Sequence, residues 1–334
     1  MQFHVTLDGV ITLCCDTWMP FSPGNINDFT ILEYIKSPEY RKLLETFTDG
    51  SFSYCDKSVC PEIQSYLHTG KSRFIVPLSE FKKEHIINIQ LNYDQSCNLR
   101  CPSCRPDLRL YTSYPPRMIN THEQTLKSIS ELLEAGYHVY ISVTGAGDPF
   151  ASKLYSDFLK SYTHEKKNYS ICIVTNGVML TPSVMEWTNI KDHVNSFNIS
   201  IDASTEKTYS IVRRGGNFSR LKSNLDHLNQ KIKSNFFKKK SPSLKTNFIV
   251  SSLNFREMAE FAKWQINDYD QLTHTWYNLI ADWGHHPNSA AFDKLAVWKP
   301  THPDHQEFLD ILSDPIFKHP KVQLGNVSQF LDQR

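Results

Sequence analysis

The stretch HIINIQLNYDQSCNLRCPSC, residues 85–104, decides how the chain folds. Ile87, Ile89, Leu91 and Tyr93 alternate with polar residues, the period of a half-buried strand. The strand runs into Cys97-Asn98-Leu99-Arg100-Cys101-Pro102-Ser103-Cys104, three cysteines at C-x3-C-x2-C spacing. Three thiolates on so short a loop can converge on one iron–sulfur cluster; the alternatives are a zinc site or three unrelated buried cysteines. The cluster's fourth iron is left without a protein ligand, open to a small chelating molecule. A structural zinc site takes four closed ligands, commonly two C-x2-C pairs, and no second pair of matching spacing follows.

Downstream the rhythm is strand and helix in turn. Strands are expected at 139–143, 169–174, 197–201, 246–250 and 275–280, with helices at 151–160, 181–188, 218–233 and 254–266. An earlier helix opens on a capping box at 121–124, carries Leu126, Ile129, Leu132 and Leu133 at helical spacing, and closes at Gly136. Six strands alternating with helices predict an α/β fold: a parallel sheet with right-handed crossovers curling into a partial (β/α)6 TIM-like barrel. Functional residues in such folds gather at the C-terminal strand ends. There stand Thr144-Gly145-Ala146-Gly147-Asp148 after the second strand, Asn176 after the third, and Ser200 and Asp202 around the end of the fourth, with Arg213 and Arg214 beyond.

Upstream, residues 1–84 read as a small hairpin-helix module. Asp8-Gly9 suits a two-residue hairpin turn, and a helix is expected over 37–50. The module carries Cys14, Cys15, Cys55 and Cys60. Residues 85–290 form the barrel, and 291–334 a C-terminal cap with a helix near 305–312 and a strand.

The 334 residues are 40% apolar and 21% charged, a globular composition. Lys+Arg at 36 against Asp+Glu at 35 gives a net charge of +1, which argues against nucleic acid as a partner. No apolar run reaches membrane-spanning length and no secretory signal precedes the first strand, so a cytoplasmic location is expected. Seven of the eight cysteines fall within the first 104 residues; in a reducing compartment such clustering suggests metal. Cys172 alternates with Ile171 and Ile173 and reads as core, and Lys238-Lys239-Lys240 as a solvated loop. His274, Trp276, Asp282, Trp283, His285 and His286 surround the sixth strand end, where they line a substrate pocket or stand as ordinary loop residues.

C-x3-C-x2-C after the first strand of a βα series resembles the signature of the radical S-adenosylmethionine superfamily. The resemblance implies a 4Fe–4S cluster held by Cys97, Cys101 and Cys104 that reductively cleaves S-adenosylmethionine to a 5′-deoxyadenosyl radical. Ser103 stands where the superfamily usually has an aromatic residue against adenine. Thr144, Gly145, Gly147 and Asp148 resemble the glycine-rich motif for the methionine amino group. Asn176, Ser200 and Asp202 fall where ribose and carboxylate contacts lie, and Arg213 or Arg214 where a guanidinium pairs with the methionine carboxylate. The 250–256 segment resembles the strand end that closes over adenine.

The N-terminal cysteines resemble a twitch or SPASM-like module, with Cys15, Cys55 and Cys60, and Cys14 as a fourth candidate, holding an auxiliary cluster. Its usual place is after the barrel. The implied partners are a peptide or small-metabolite substrate and a flavodoxin- or ferredoxin-type electron donor. The alternative is a non-catalytic zinc or iron–sulfur scaffold or sensor, which has no need of the strand-end motifs.

Overall fold

The structure, a computed structural model, describes residues 2–14, 18–58, 60, 63, 66–67, 86–105, 107–238, 241–282 and 288–331. It divides into two compact units: Met1–Gln95, Tyr111–Ala146 and Thr163–Ile171 in the first; Ser96–Leu110, Gly147–Tyr162 and Cys172–Arg334 in the second.

In the first unit β1 (Gln2–Thr6) and β2 (Val10–Leu13) form an antiparallel hairpin, and β3 (Gly24–Asn25) pairs with β2. The turn holds three residues, 7–9, where two were expected. Gly9 takes φ +77° and its N–H bonds to Thr6 O at 2.9 Å, the left-handed position that glycine occupies at low cost. The capping box of Thr30 and Glu33 opens a short helix, α1 (Ile31–Lys36), which the sequence reading passed over. Ser37 then caps α2 (Pro38–Thr48).

β4 (Ile86–Asn92) pairs in parallel with β1 on one side and with β5 (His138–Val143) on the other, so the hairpin extends the sheet that β4 begins. Between β4 and β5 runs α3 (Pro116–Glu134). It starts at Pro116, whose missing N–H costs nothing at a first helical position, and not at the expected capping box. Thr121 therefore lies inside the helix, buried, where its hydroxyl accepts from Asn27 Nδ2 at 3.3 Å. Ile129, Leu132 and Leu133 are fully buried, each contributing roughly 1.5–3 kcal/mol.

The second unit contains α4 (Lys153–Ser161), and β6 (Tyr169–Thr175) passes from the first unit into it. The expected 181–188 helix is two short pieces, α5 (Pro182–Met185) and α6 (Thr188–His193). β7 (Val194–Ser200), β8 (Ser243–Val250), β9 (Leu272–Leu279) and β10 (Val322–Gln323) pair in parallel in that order. Between them lie α7 (Glu206–Val212), α8 (Phe218–Lys233) and, after a 3-10 turn at Phe255–Glu257, α9 (Met258–Asp268). α10 (Ser289–Asp293), α11 (His305–Ile311) and a closing 3-10 segment, Gly325–Phe330, complete it. Parallel strands joined through helices make this the mixed α/β fold of the partial TIM-like barrel class. Among the described residues no helix is long and apolar enough to cross a membrane.

Candidate functional site

The cysteine loop lies wholly in the second unit. Cys97 N–H bonds to Arg109 O at 2.7 Å, an isolated antiparallel bridge, and Cys104 N–H and Arg105 N–H both bond to Cys101 O. Arg100 N–H bonds to Arg214 O at 3.1 Å, tying the loop to the turn after α7. Cys101 is buried, Cys97 half-buried and Cys104 exposed. Burial pushes the Cys97 thiol up to about 12, with Asp148 adding to the rise and the Leu99 N–H opposing it. Burial raises Cys101 as well, against the pull of Arg213. Among the described residues no three His, Cys, Asp or Glu side chains are gathered to hold a single metal ion.

Asp148, fully buried after β5, anchors the next strand end. Its Oδ2 accepts from Thr175 Oγ1 at 2.6 Å and Asn176 N–H at 2.9 Å, its Oδ1 from Phe150 N–H at 3.1 Å, and its own N–H bonds to Ser96 O at 2.7 Å. Asn176 Nδ2 in turn reaches Asn98 Oδ1 at 2.9 Å and Cys97 Sγ at 4.0 Å. The Asp148 carboxylate is thus committed to fixing the third strand end against the loop. Thr144 and Gly145 belong to the first unit, Gly147 to the second. A Cβ on Gly145 would meet the side-chain ends of Gln90 and Asn92, which would have to shift to admit it.

Beyond β7, Asp202 sits at φ +63°, an uncommon position for a residue with a side chain. Four bonds hold it there. Its Oδ2 lies 2.6 Å from Arg213 Nη2, its Oδ1 accepts from Ile249 N–H at 2.8 Å, its N–H points to Asn247 O at 3.4 Å, and its carbonyl accepts from Asn254 Nδ2 at 2.9 Å. Burial raises the Asp202 carboxyl while Arg213 pulls it back; for Arg213, burial is outweighed only by Asp202, Cys101 and Tyr209 together, which raise the guanidinium. Arg213 Nη1 lies 3.7 Å from Cys101 Sγ, and its buried Nε has no hydrogen-bond partner among the described residues. Arg214 is exposed, so Arg213 is the arginine beside the cysteine loop. Ser200 ends β7 half-buried, in register with Asn247.

Asn254 and Glu257 escaped the sequence reading. Asn254 Nδ2 also donates to Ile249 O at 2.8 Å, and its Oδ1 accepts from Ser251 N–H at 2.8 Å. The Glu257 carboxylate accepts from the N–H and hydroxyl groups of Ser204 and Thr205. Together they clamp the two loops that flank a small pocket lined by Ser103, Asp202, Ile249, Leu253 and Asn254. An Asn and a Glu three apart after a strand was the signal available.

In the first unit, Cys55 packs against the apolar cluster that contains Cys60, and Cys14 lies within electrostatic reach of Cys55; Cys15 lies outside the described residues. Burial raises the Cys55 thiol to about 11, and the neighbouring sulfurs of Cys60 and Cys14 add to it. Asp56 N–H bonds to Trp18 O at 2.8 Å, joining the two cysteine segments, while Cys60 packs with Phe52 and Ile63. His274 and Trp276 lie on β9 and Asp282 follows it exposed; Trp283, His285 and His286 lie outside the described residues.

Comparison with known proteins agrees with this arrangement. Residues 92–243 match the model of the Radical SAM superfamily. The GTP 3′,8-cyclase of Haemophilus influenzae is 25% identical over 201 residues, 59% of this chain and 54% of that protein. Molybdenum cofactor biosynthesis protein 1 of Dictyostelium discoideum is 24% identical over 187 residues, 56% and 28% respectively. The GTP 3′,8-cyclase of Alkaliphilus metalliredigens is 24% identical over 186 residues, 54% and 52%. The matched part of the chain corresponds to about half the length of these cyclases.

The superfamily's cofactors are a 4Fe–4S cluster and S-adenosylmethionine, and the donor set fits them. Three cysteines share one loop, with an N–H on Cys97 Sγ at 3.4 Å and a guanidinium beside Cys101, contacts of the kind that tune cluster sulfurs. Residues 92–243 thus match the radical SAM superfamily, a family of enzymes, over the part of the chain that carries the three-cysteine loop.

Proposed function

We propose that Cys97, Cys101 and Cys104 hold a 4Fe–4S cluster at which S-adenosylmethionine is reductively cleaved, and that hydrogen is then abstracted from a peptide or small-metabolite substrate. When bound, the cluster supplies the single electron that breaks the sulfonium and yields the 5′-deoxyadenosyl radical. One observation carries the reading: the same loop receives Asn176 from one strand end and Arg213, paired with Asp202, from another.

The chain's own residues bind and orient. Arg213 fixes Asp202 and keeps its Nε for an anionic group such as the methionine carboxylate. Asp148 sets Asn176, and the glycine-rich turn of Thr144, Gly145 and Gly147 lets backbone groups approach an amine. Ser103, Ile249 and Leu253 stand beside Asp202 in a small pocket at the strand end, where the resemblance puts the adenine. Residues 1–84 are read as the auxiliary-cluster module, with Cys15, Cys55 and Cys60 as its ligands and Cys14 as the candidate for a fourth; 85–290 as the barrel; and 291–334 as its cap. The electron donor is of flavodoxin or ferredoxin type. GTP, after which the related cyclases are named, is the first small metabolite to test.

The decisive assay is anaerobic. Protein reconstituted with iron and sulfide, then given dithionite and S-adenosylmethionine, is expected to release 5′-deoxyadenosine and methionine. Cys101→Ala is expected to abolish this. Cleavage at the parent rate by that variant would refute the role given to the three-cysteine loop, and a colourless zinc protein that takes up no iron would favour the scaffold reading.

A further inference from the structure

The sheet of β7, β8 and β9 has two unlike faces. Ile199, Phe248 and Tyr277 are fully buried on one. The other carries half-buried side chains in register across the strands: Asn198, Lys245 and His274 in one row, Ser200, Asn247 and Trp276 in the next, then Ile249 and Asn278. No acidic residue stands in these rows, and among the described residues Lys245 pairs with no carboxylate. Asn247 Nδ2 donates to Asn198 Oδ1 at 2.6 Å, and the His274 and Trp276 rings lie 5.7 Å apart. The Lys245 charge reaches His274 across the strand pair. A cation, an imidazole, amides and an indole on one half-buried face, with the Gly325 turn packed beside Trp276 and Asn278, form a recognition surface with a single sign of charge.

We infer that this face binds the anionic end of the substrate, a phosphate or carboxylate group, at Lys245 and His274. The inference deepens the proposed function by naming the class of molecule. Lys245 precedes Ile249 by four residues on β8, about 13 Å at the usual strand rise. Ile249 lines the pocket that holds Asp202. A substrate anchored at Lys245 therefore extends on the order of 10 Å along the strands towards the pocket, passing Asn247 and Trp276. Its middle carries groups that an amide and an indole can engage.

Inorganic triphosphate and glutarate serve as probes of the two anion chemistries, each titrated calorimetrically into the reconstituted holoprotein. One of them is expected to bind with one-to-one stoichiometry, which assigns phosphate or carboxylate. Lys245→Gln is expected to weaken that binding at least tenfold, and His274→Gln to weaken it less. Lys238→Gln, at an exposed lysine paired with Asp192, is expected to leave it unchanged. Iron content and circular dichroism of each variant exclude misfolding as the cause. Binding of neither probe, or binding that survives both Lys245→Gln and His274→Gln, overturns the inference. Cleavage of S-adenosylmethionine by the parent protein is scored in parallel. Its failure beside intact, Lys245-dependent anion binding would count against the proposed function and not against this site.

Discussion

Arg213 and Asp202 form an ion pair with Nη2 2.6 Å from Oδ2, both side chains almost wholly buried, and the free edge of the guanidinium facing Cys101. Two charges taken out of water are stable only together. Removing one partner strands the other, and such breaks cost about 3–5 kcal/mol.

Arg213→Met is therefore expected to lower stability by about that amount, read as a drop in the urea midpoint of the metal-free protein. Arg213→Lys keeps the charge and loses the planar fork that spans Asp202 and Cys101, so it is expected to restore part of the stability. Equal midpoints for Arg213→Met and the parent would contradict the pairing.

The strands were legible because each alternates or runs apolar for six to eight residues between turn signals, and β4 through β9 fall close to their expected positions. Local signals that compete were read less well. The Thr121 box resembles a helix start, yet Pro115 and Pro116 begin the helix earlier, and the true box at Thr30 serves a helix of only six residues. The parallel pairing of β1 with β4 joins segments more than eighty residues apart, and no local pattern encodes it. At the site, residue types and strand ends were readable. The choice of Arg213 over Arg214 was not, since it depends on which one the turn after α7 directs inward. Asp148 reads in sequence as a ligand contact; in the fold its oxygens are occupied by Thr175, Asn176 and Phe150.

Asn254 makes bonds to Asp202, Ile249 and Ser251 and has no capacity left for a ligand. It is a positioning residue. Asn254→Ala is expected to orphan buried backbone groups at roughly 1–3 kcal/mol each. Its kinetic signature should be a raised KM for S-adenosylmethionine with a smaller change in kcat, because the Asp202 loop loses its support. An unchanged KM alongside lowered stability would reduce Asn254 to a fold residue.

Tyr40 in the first unit and Tyr162 in the second are both pushed up to about 12 by burial. Their ordinary value is 10.0, so between the two values the folded chain keeps protons that the unfolded chain has lost. The resulting stability is present below pH 10 and disappears as pH rises towards 12. Urea midpoints are expected to fall over that window, with tyrosinate absorbance at these positions appearing together with unfolding. Full ionisation of all tyrosines near pH 10 in a protein still folded would refute it.

Two groups of cysteines in two separate units give the final expectation. Cys97, Cys101 and Cys104 share a loop in the second unit; in the first, Cys60 and Cys14 both act on the Cys55 thiol. If each group holds a 4Fe–4S cluster, the reconstituted parent carries about eight irons per chain, and losing either cluster leaves about four. Cys101→Ala and the double variant Cys55→Ala, Cys60→Ala are thus expected to match in iron content and to differ in chemistry. The first abolishes release of 5′-deoxyadenosine, because two thiolates cannot hold a cluster with a free chelation site. The second keeps measurable release without substrate and loses turnover of the substrate itself. Iron unchanged in the double variant would remove the auxiliary cluster from the account and leave the three-cysteine loop standing; four irons with no cleavage in either variant would mean that the first unit's cysteines serve the same step as the loop.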